Sequence, residues 1–372
     1  MIQLFIIAGL VFLFFWLQLQ VYIRYWKEEL EVDLKFEPTD MFEGDEGCLT
    51  EVIINNKILP LPLFNVKFQT NRCLRFPGSA VSQKTDQYYR NDVFRIGKRE
   101  KITRNLKFIA DKRGYFHIDG VDLISYDLFM YATLMTTLEM NECIYVYPKP
   151  FYSREFLRSL QMVNGVMQTK RQFLEDPFEY RGMREYQPYD DMKSINWKAT
   201  AKTGDFKVNL HDFTAVRSVR IFLNLEDTGI IKKEDGAEVC IRIAAGISKY
   251  FAEKGMKVSC YGNCRDVCTE QILQRHEEKE LQNIYRALAC IDLSKEMPAF
   301  HKLYENRMFT RMNGEYTFVV SVNAYEEFVE LLQRYSVISE DFMWFMPVEK
   351  NDMPEIPDNM RKYFRPINIY QI

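Results

Sequence analysis

The sequence predicts a multidomain chain: one N-terminal transmembrane helix, an all-β sandwich, and then a doubly wound α/β domain. Three observations lead there. Residues 2–21 are almost unbroken apolar sequence, residues from about 31 to 150 alternate apolar and polar side chains in short runs, and beyond 213 strand-like runs alternate with segments of helical period. The divisions we draw are 1–26 (anchor), 31–150 (sandwich), 151–212 (a motif segment) and 213–372 (α/β domain). With 372 residues, 47% of them hydrophobic, the chain can bury more than one core, which excludes global disorder. A net charge of −3 gives no overall attraction to nucleic acid. The eight cysteines are scattered rather than densely spaced, so they suit a reducing compartment better than a disulfide framework.

The anchor comes first. From Ile2 to Val21 only Gln3, Gln18 and Gln20 are polar, all near the ends. At about 1.5 Å per residue such a run spans the ~30 Å hydrocarbon layer. Tyr22, Tyr25 and Trp26 follow and read as an interfacial aromatic belt. A cleaved signal peptide needs a basic leader and a small-x-small site, and neither is present. Arg24 and Lys27 flank the C-terminal end, so the positive-inside rule places the body in the cytoplasm, on a single-pass cell-membrane protein.

In the sandwich region Val32, Leu34 and Phe36 alternate with charges. Leu49, Val52 and Ile54 lead into the turn-forming Asn55-Asn56-Lys57, and Phe64, Val66 and Phe68 alternate after two prolines. Ile102, Leu106, Phe108 and Ala110 share one parity. Tyr115–Ile118 and Val121–Ser125 flank Asp119-Gly120, a hairpin signal, and Ile144 and Val146 close the set. Six or seven short strands of this kind predict a sandwich. His117, alone in a strand, reads as structural or exposed rather than as a ligand.

The motif segment contains Phe178–His211. Asp190 or Asp191 can cap a helix running from Met192 to about Lys202, with Met192, Ile195 and Ala199 on its buried face and Gly204 at its left-handed end; Asp205–Leu210 then reads as an edge strand. Trp197 reads as a packing anchor. Eight basic residues between 165 and 207 are balanced by seven acidic ones, which argues against a phosphate-binding stripe.

Arg184-Glu185-Tyr186-Gln187-Pro188-x-Asp190, followed by Ile195-Asn196-Trp197-Lys198-Ala199-x-Ala201-Lys202-x-Gly204, resembles the signature of the bacterial family known as domain of unknown function 58. Arg113-Gly114-Tyr115 and Val146-Tyr147-Pro148 stand where that pattern expects them. The resemblance covers nearly the whole chain. It implies a membrane anchor, a β-rich region and a C-terminal von Willebrand factor A-like domain, with a MoxR-type AAA+ ATPase as partner. It marks Arg184, Tyr186, Asp190, Asn196, Trp197, Lys198 and Lys202 as partner-binding candidates. The chain departs from the family in showing one membrane helix where many relatives have two. Tyr189 replaces the usual glycine, and Asp127-Leu128-Phe129-Met130 stands in place of Asp-Pro-Phe-Gly.

In the α/β domain, strands are expected at Ser218–Leu225, Met256–Tyr261, Tyr316–Val322 and, as the last core strand, Phe342–Val348. Helices are expected at Gly236–Glu253, Glu270–Cys290 and Tyr325–Tyr335. A-type folds often hold a divalent cation at the end of the first strand through Asp-x-Ser-x-Ser. Here Asn224, Glu226 and Thr228 occupy those positions, a degenerate set in which a neutral amide replaces the key carboxylate, so any Mg²⁺ would bind weakly and no cofactor is expected. Cys260, Cys264 and Cys268 form C-x3-C-x3-C, three thiols where zinc sites usually want four ligands in spaced pairs; Tyr261-Gly262-Asn263 reads as a turn between two strands, and His276, which could offer a fourth ligand, sits in a charged helical run, so buried structural thiols are the better reading. No phosphate loop or hydrolase motif occurs. The sequence thus favours a membrane-tethered, non-enzymatic binding or assembly protein. The alternative is a hydrolase-type enzyme centred on Asp190 and Lys198.

Overall fold

The computed structural model describes residues 2–77, 87–171, 180–188, 190–211, 218–227, 229, 234–278, 280–310, 315–349 and 353–368. The chain divides into two compact units, Met1–Lys149 and Pro150–Ile372.

The first unit begins with helix α1 (Ile2–Tyr25), whose apolar run is long enough to cross a membrane. Among the described residues nine strands follow: β1 (Leu30–Glu37), β2 (Asp40–Phe42), β3 (Glu46–Asn55), β4 (Leu61–Asn71), β5 (Leu74–Arg75), β6 (Gln87–Ile96), β7 (Glu100–Ala110), β8 (Gly114–Tyr126) and β9 (Thr133–Tyr147). They form two sheets, ordered β1-β3-β7-β5 and β2-β9-β8-β4-β6. All pairs are antiparallel except β2 with β9. The period-2 alternation seen in the sequence faces Leu34, Phe36, Leu49 and Ile53 of one sheet and Phe64, Val66 and Phe68 of the other into a single core, which makes the unit a β-sandwich.

Three expectations are corrected here. Tyr22 and Trp26 do not form a lipid-facing belt. One helical turn apart, they are buried in the sandwich core, and the Tyr22 hydroxyl donates to the Pro60 carbonyl at 2.9 Å. Asp119-Gly120 is not a hairpin turn: β8 runs through it, with a register irregularity between Ile118 and Gly120 that absorbs the extra residue while β9 pairs along both sides. And β6, whose charge-rich sequence carries little alternation, was not expected; it adds to β4 at the sheet edge.

The second unit contains α2 (Arg154–Arg171), β10 (Tyr180–Glu185), a 3-10 turn (Met192–Ser194), α3 (Trp197–Thr203), β11 (Lys207–His211), β12 (Ser218–Asn224), α4 (Glu234–Ala252), β13 (Lys257–Asp266), β14 (Ile272–Glu278), α5 (Leu281–Ala289), β15 (Ile291–Asp292), α6 (Phe300–Phe309), β16 (Glu315–Ser321), α7 (Glu326–Ile338), β17 (Phe342–Val348), a second 3-10 turn (Asp358–Met360) and β18 (Phe364–Asn368). Its large sheet is ordered β14-β13-β12-β16-β17-β18. β12, β13, β16, β17 and β18 are mutually parallel, and β14 is antiparallel to β13. One face packs on α6 and α7 through Phe222, Phe300, Tyr304 and Trp344. The other packs on α4 and α2 through Phe251 against Phe318 and Phe156 against Phe345. With both faces covered, β12, β16 and β17 are buried at every position, as their continuous apolar sequence requires. Gly246 lets α4 approach: a β-carbon there would stand 2.7 Å from the Phe151 carbonyl oxygen.

The expected helix over 270–290 is instead β14 followed by α5, because the polar Gln-Arg-His-Glu-Glu run pairs with β13 at the sheet edge. Tyr261-Gly262-Asn263 lies inside β13 rather than at a turn. The α2 and α6 helices were not anticipated, and β17 is not the last strand, since β18 pairs beyond it.

Candidate functional site

The motif residues assemble one local structure. β10 and β11 pair antiparallel, and the intervening chain folds back over them as the 3-10 turn and α3. Asp191 caps the 3-10 turn through the Lys193 N–H; the α-helix is capped by Asn196, whose side-chain oxygen accepts from Ala199 N–H at 3.0 Å. The expected single helix is therefore split at Ile195, whose side chain is buried beside Val208 of β11. Met192 is exposed, not buried. Gly204 ends α3 at φ 82°, the left-handed position anticipated for it.

Asn196 also donates its amide to Asn209 Oδ1 at 2.8 Å, and Thr200 Oγ1 accepts from Lys207 N–H at 3.1 Å, so α3 is pinned to the hairpin at its N-cap and at its midpoint. Arg184 grips Asp190 in a two-pronged ion pair, one prong at 2.6 Å, and Gln187 N–H donates to the same carboxylate at 2.8 Å. These bonds, the Arg184 guanidinium foremost, hold the Asp190 carboxyl below the usual range. A carboxylate so fixed in its ionised form is a structural clasp rather than a proton donor.

Trp197 is the main correction in this segment. It is 60% exposed, and its ring meets that of Phe206, itself 55% exposed, edge to face at 6.3 Å. The Tyr186 ring centroid stands 6.0 Å from that of Phe206. Lys198 and Lys202 are exposed on the same short helix. The result is an aromatic surface with lysines beside it, carried on a rigid support. Phe206 was not among the sequence candidates; its signal was a large apolar residue directly after the helix-ending Gly204-Asp205.

The degenerate metal positions lie in the second unit, where the strand order reverses between β12 and β16. The carboxyl ends of such strands form the usual ligand crevice. A cleft of about 430 Å³ opens there, lined by Glu226, Asp227, Glu234, Lys295 and Val322 among others. Two of the three candidate ligands, Asn224 and Glu226, are already engaged. Asn224 is buried, and its side-chain oxygen accepts from Glu226 N–H and from the Asn263 amide, each at 3.0 Å. Glu226 turns its carboxylate to the Phe300 N–H at the start of α6, at 3.0 Å. Asp227 accepts from Gly229 N–H and from the Tyr325 hydroxyl. Thr228 lies outside the described residues. Asn263 completes the network by donating to the Pro298 carbonyl and accepting from Leu225 N–H. No local pattern marks Asn263, because it is 39 residues from Asn224. Amide and backbone partners stand where a hard cation would need several anionic oxygens, so this donor set fits Mg²⁺ poorly.

The cysteine series does not converge. Cys260 and Cys264 are buried within β13, where burial pushes the Cys260 thiol well up, and Cys268 is exposed beyond the strand. Cys268 lies instead beside Asp266 and Cys290, their donor atoms within 4.8 Å of one another, and Asp266 is engaged by the N–H groups of Cys268 and Thr269. The His276 side chain lies outside the described residues. His117 is half-exposed on β8 and pairs with Asp119 at 3.2 Å.

No family model and no curated protein matches this chain. Among solved structures, it is similar to a chain of the CaDoc0917–CaCohA2 complex at 14% identity, covering 32% of this chain and 99% of that one, with a TM-score of 0.23. It is similar to Spo0M, the sporulation control protein from Bacillus subtilis, at 13% identity over 43% and 58% of the two chains, TM-score 0.18. It is also similar to a non-cellulosomal cohesin from Archaeoglobus fulgidus at 11% identity over 35% and 96%, TM-score 0.21. Likenesses this distant carry no functional argument.

Proposed function

We propose that this protein is a single-pass, membrane-anchored assembly factor of the domain-of-unknown-function-58 type, without catalytic activity of its own. Its second unit is a von Willebrand factor A-like domain with a degenerate metal site, its body lies in the cytoplasm, and its partner is a MoxR-type AAA+ ATPase. One observation carries the reading. The motif builds a rigid platform that leaves Trp197 and Phe206 in solvent beside two lysines, and exposed aromatics on a fixed support are what a protein partner buries as binding anchors. Two others support it: α1 has the length and composition of a span, and the Asn224 and Glu226 side chains at the would-be cation site accept hydrogen bonds from within the protein. The clasp of Arg184 on Asp190 supports this reading over the hydrolase alternative, since it disfavours Asp190 as a proton donor.

The test is affinity purification of the tagged full chain from solubilised membranes, beside Trp197→Ala and Phe206→Ala variants, with the bound proteins identified by mass spectrometry. An AAA+ ATPase recovered with the wild type and depleted with both variants is the expected result. Equal recovery with the variants would move the contact elsewhere, and repeated absence of any AAA+ ATPase would remove the partner. Protease digestion of intact and opened cells reads the side on which the body lies.

A further inference from the structure

Four consecutive apolar residues, Leu128 to Tyr131, sit at the tip of the β8–β9 connection, and all are exposed: 46%, 46%, 59% and 88%. A run of this kind at a loop tip is a liability in water unless something apolar covers it. The loop is also held in shape. Asp127 accepts from the N–H groups of Ala132 at 2.7 Å and Phe129 at 3.3 Å, its backbone carbonyl accepts from Met130 N–H, and Met130 adopts a left-handed φ of 58°.

Its position names the cover. Phe129 packs against α1, with ring centroids 4.4 Å from Phe15 and 6.4 Å from Phe14, and the Gln18 amide donates to Asp127 at 3.2 Å. Phe15 precedes Val21, the end of the apolar run, by six residues, about 9 Å along the helix. Tyr22 and Trp26, buried in the sandwich, fix the height of the sandwich relative to α1. A bilayer threaded by α1 therefore reaches the loop at about the depth to which interfacial apolar groups embed, ~5–10 Å. Asp127 and Gln18 satisfy each other just where the polar region begins.

We infer that residues 128–131 form a second membrane contact, a loop of the sandwich that inserts beside α1 into the edge of the hydrocarbon layer and sets the orientation of the body. The inference rests on the membrane-anchor reading given above. Phe129 and Tyr131 then supply the interfacial aromatics that Tyr22 and Trp26, being buried, do not.

Photocrosslinking of the full chain in phosphatidylethanolamine–phosphatidylglycerol vesicles tests it. p-Benzoylphenylalanine is placed singly at Phe129, Tyr131, Phe12 of α1, or Tyr89. Tyr89 is exposed and lies opposite Gln69, five positions along β4 from Phe64, which pairs with the β8 end leading into the loop; it is thus about 17 Å away from the loop end. Mass shifts of one phospholipid at 129 and 131, matching the yield at 12, with background only at 89, are expected. Adducts at 12 but not at 129 or 131 overturn the inserted loop and leave the anchor standing. No adduct at 12 overturns the anchor itself. Adducts at 89 as abundant as at 129 show indiscriminate contact and overturn the proposal as well. All of these positions are exposed, so the label does not disturb the core.

Discussion

Glu51 occupies a core position, and replacing it with glutamine should stabilise the first unit at neutral pH. On β3 it lies between Leu49 and Ile53 on the inward face and is 1% exposed. Its neighbours are Asp92, Arg90 and Arg104, and Arg104 reaches Asp92 at 2.9 Å. Burial, then the Asp92 charge, outweigh the two arginines and raise the Glu51 carboxyl from its ordinary 4.5 to about 8. Between those values the folded chain holds a proton that the unfolded chain has released. Stability is therefore highest below the unfolded pKa and falls as pH rises toward the folded one. At pH 7 the gap from 4.5 is about 2.5 units, a ceiling of about 3 kcal/mol at 1.36 kcal/mol per unit. Glu51→Gln removes the charge and keeps the shape and a donor for Asp92. Allowing for the buried amide, the expected gain is about 2 kcal/mol near pH 7 and close to nothing near pH 4.5. For a unit of this size that is about 4–8 °C in midpoint. Scanning calorimetry of the detergent-solubilised full chain across this range, wild type beside variant, measures it. A midpoint difference that does not change with pH, or a loss at every pH, would refute the reasoning.

Other expectations follow from the same structure. Arg220 and Glu315 pair at 3.0 Å while both are less than a tenth exposed, so Glu315→Ala should cost about 3 kcal/mol by leaving the buried charge without its counter-ion, though its hydrogen bonds to the Arg307 and Thr310 carbonyls remain; a double variant, Arg220→Met with Glu315→Leu, should recover much of that in urea unfolding. Gly204→Ala should destabilise the motif platform by about 1–2 kcal/mol through its positive φ alone, since nothing lies within 4 Å of the added carbon, and hydrogen exchange of the α3 amides would report it. Iodoacetamide on the native protein should label Cys268 well before Cys240, Cys260 and Cys264, because burial both shields those thiols and, at Cys240 and Cys260, disfavours the thiolate; equal labelling by peptide mass spectrometry would contradict the burial.

The outline of the fold was readable because hydrophobic period is a local property. The apolar run of α1, the period-2 strands of the sandwich and the continuous apolar runs of β12, β16 and β17 each carry their own signal over a few residues. So does Gly204, since chain chirality alone makes glycine the residue of choice at a left-handed helix end. Edge elements were harder to read. β6 and β14 are charge-rich sequences recruited by the hydrogen-bonding edges of β4 and β13, and nothing within them announces the partner. The same limit governs the candidate sites. Composition could place Trp197, Asn224 and Asp127 in a motif, a degenerate ligand set and a turn. Tertiary structure decided that Trp197 faces solvent, that Asn224 is held by Asn263, and that Asp127 meets Gln18 across 109 residues. A side chain's partner and exposure depend on what distant segments bring against it, and that information resides in packing rather than in sequence neighbours.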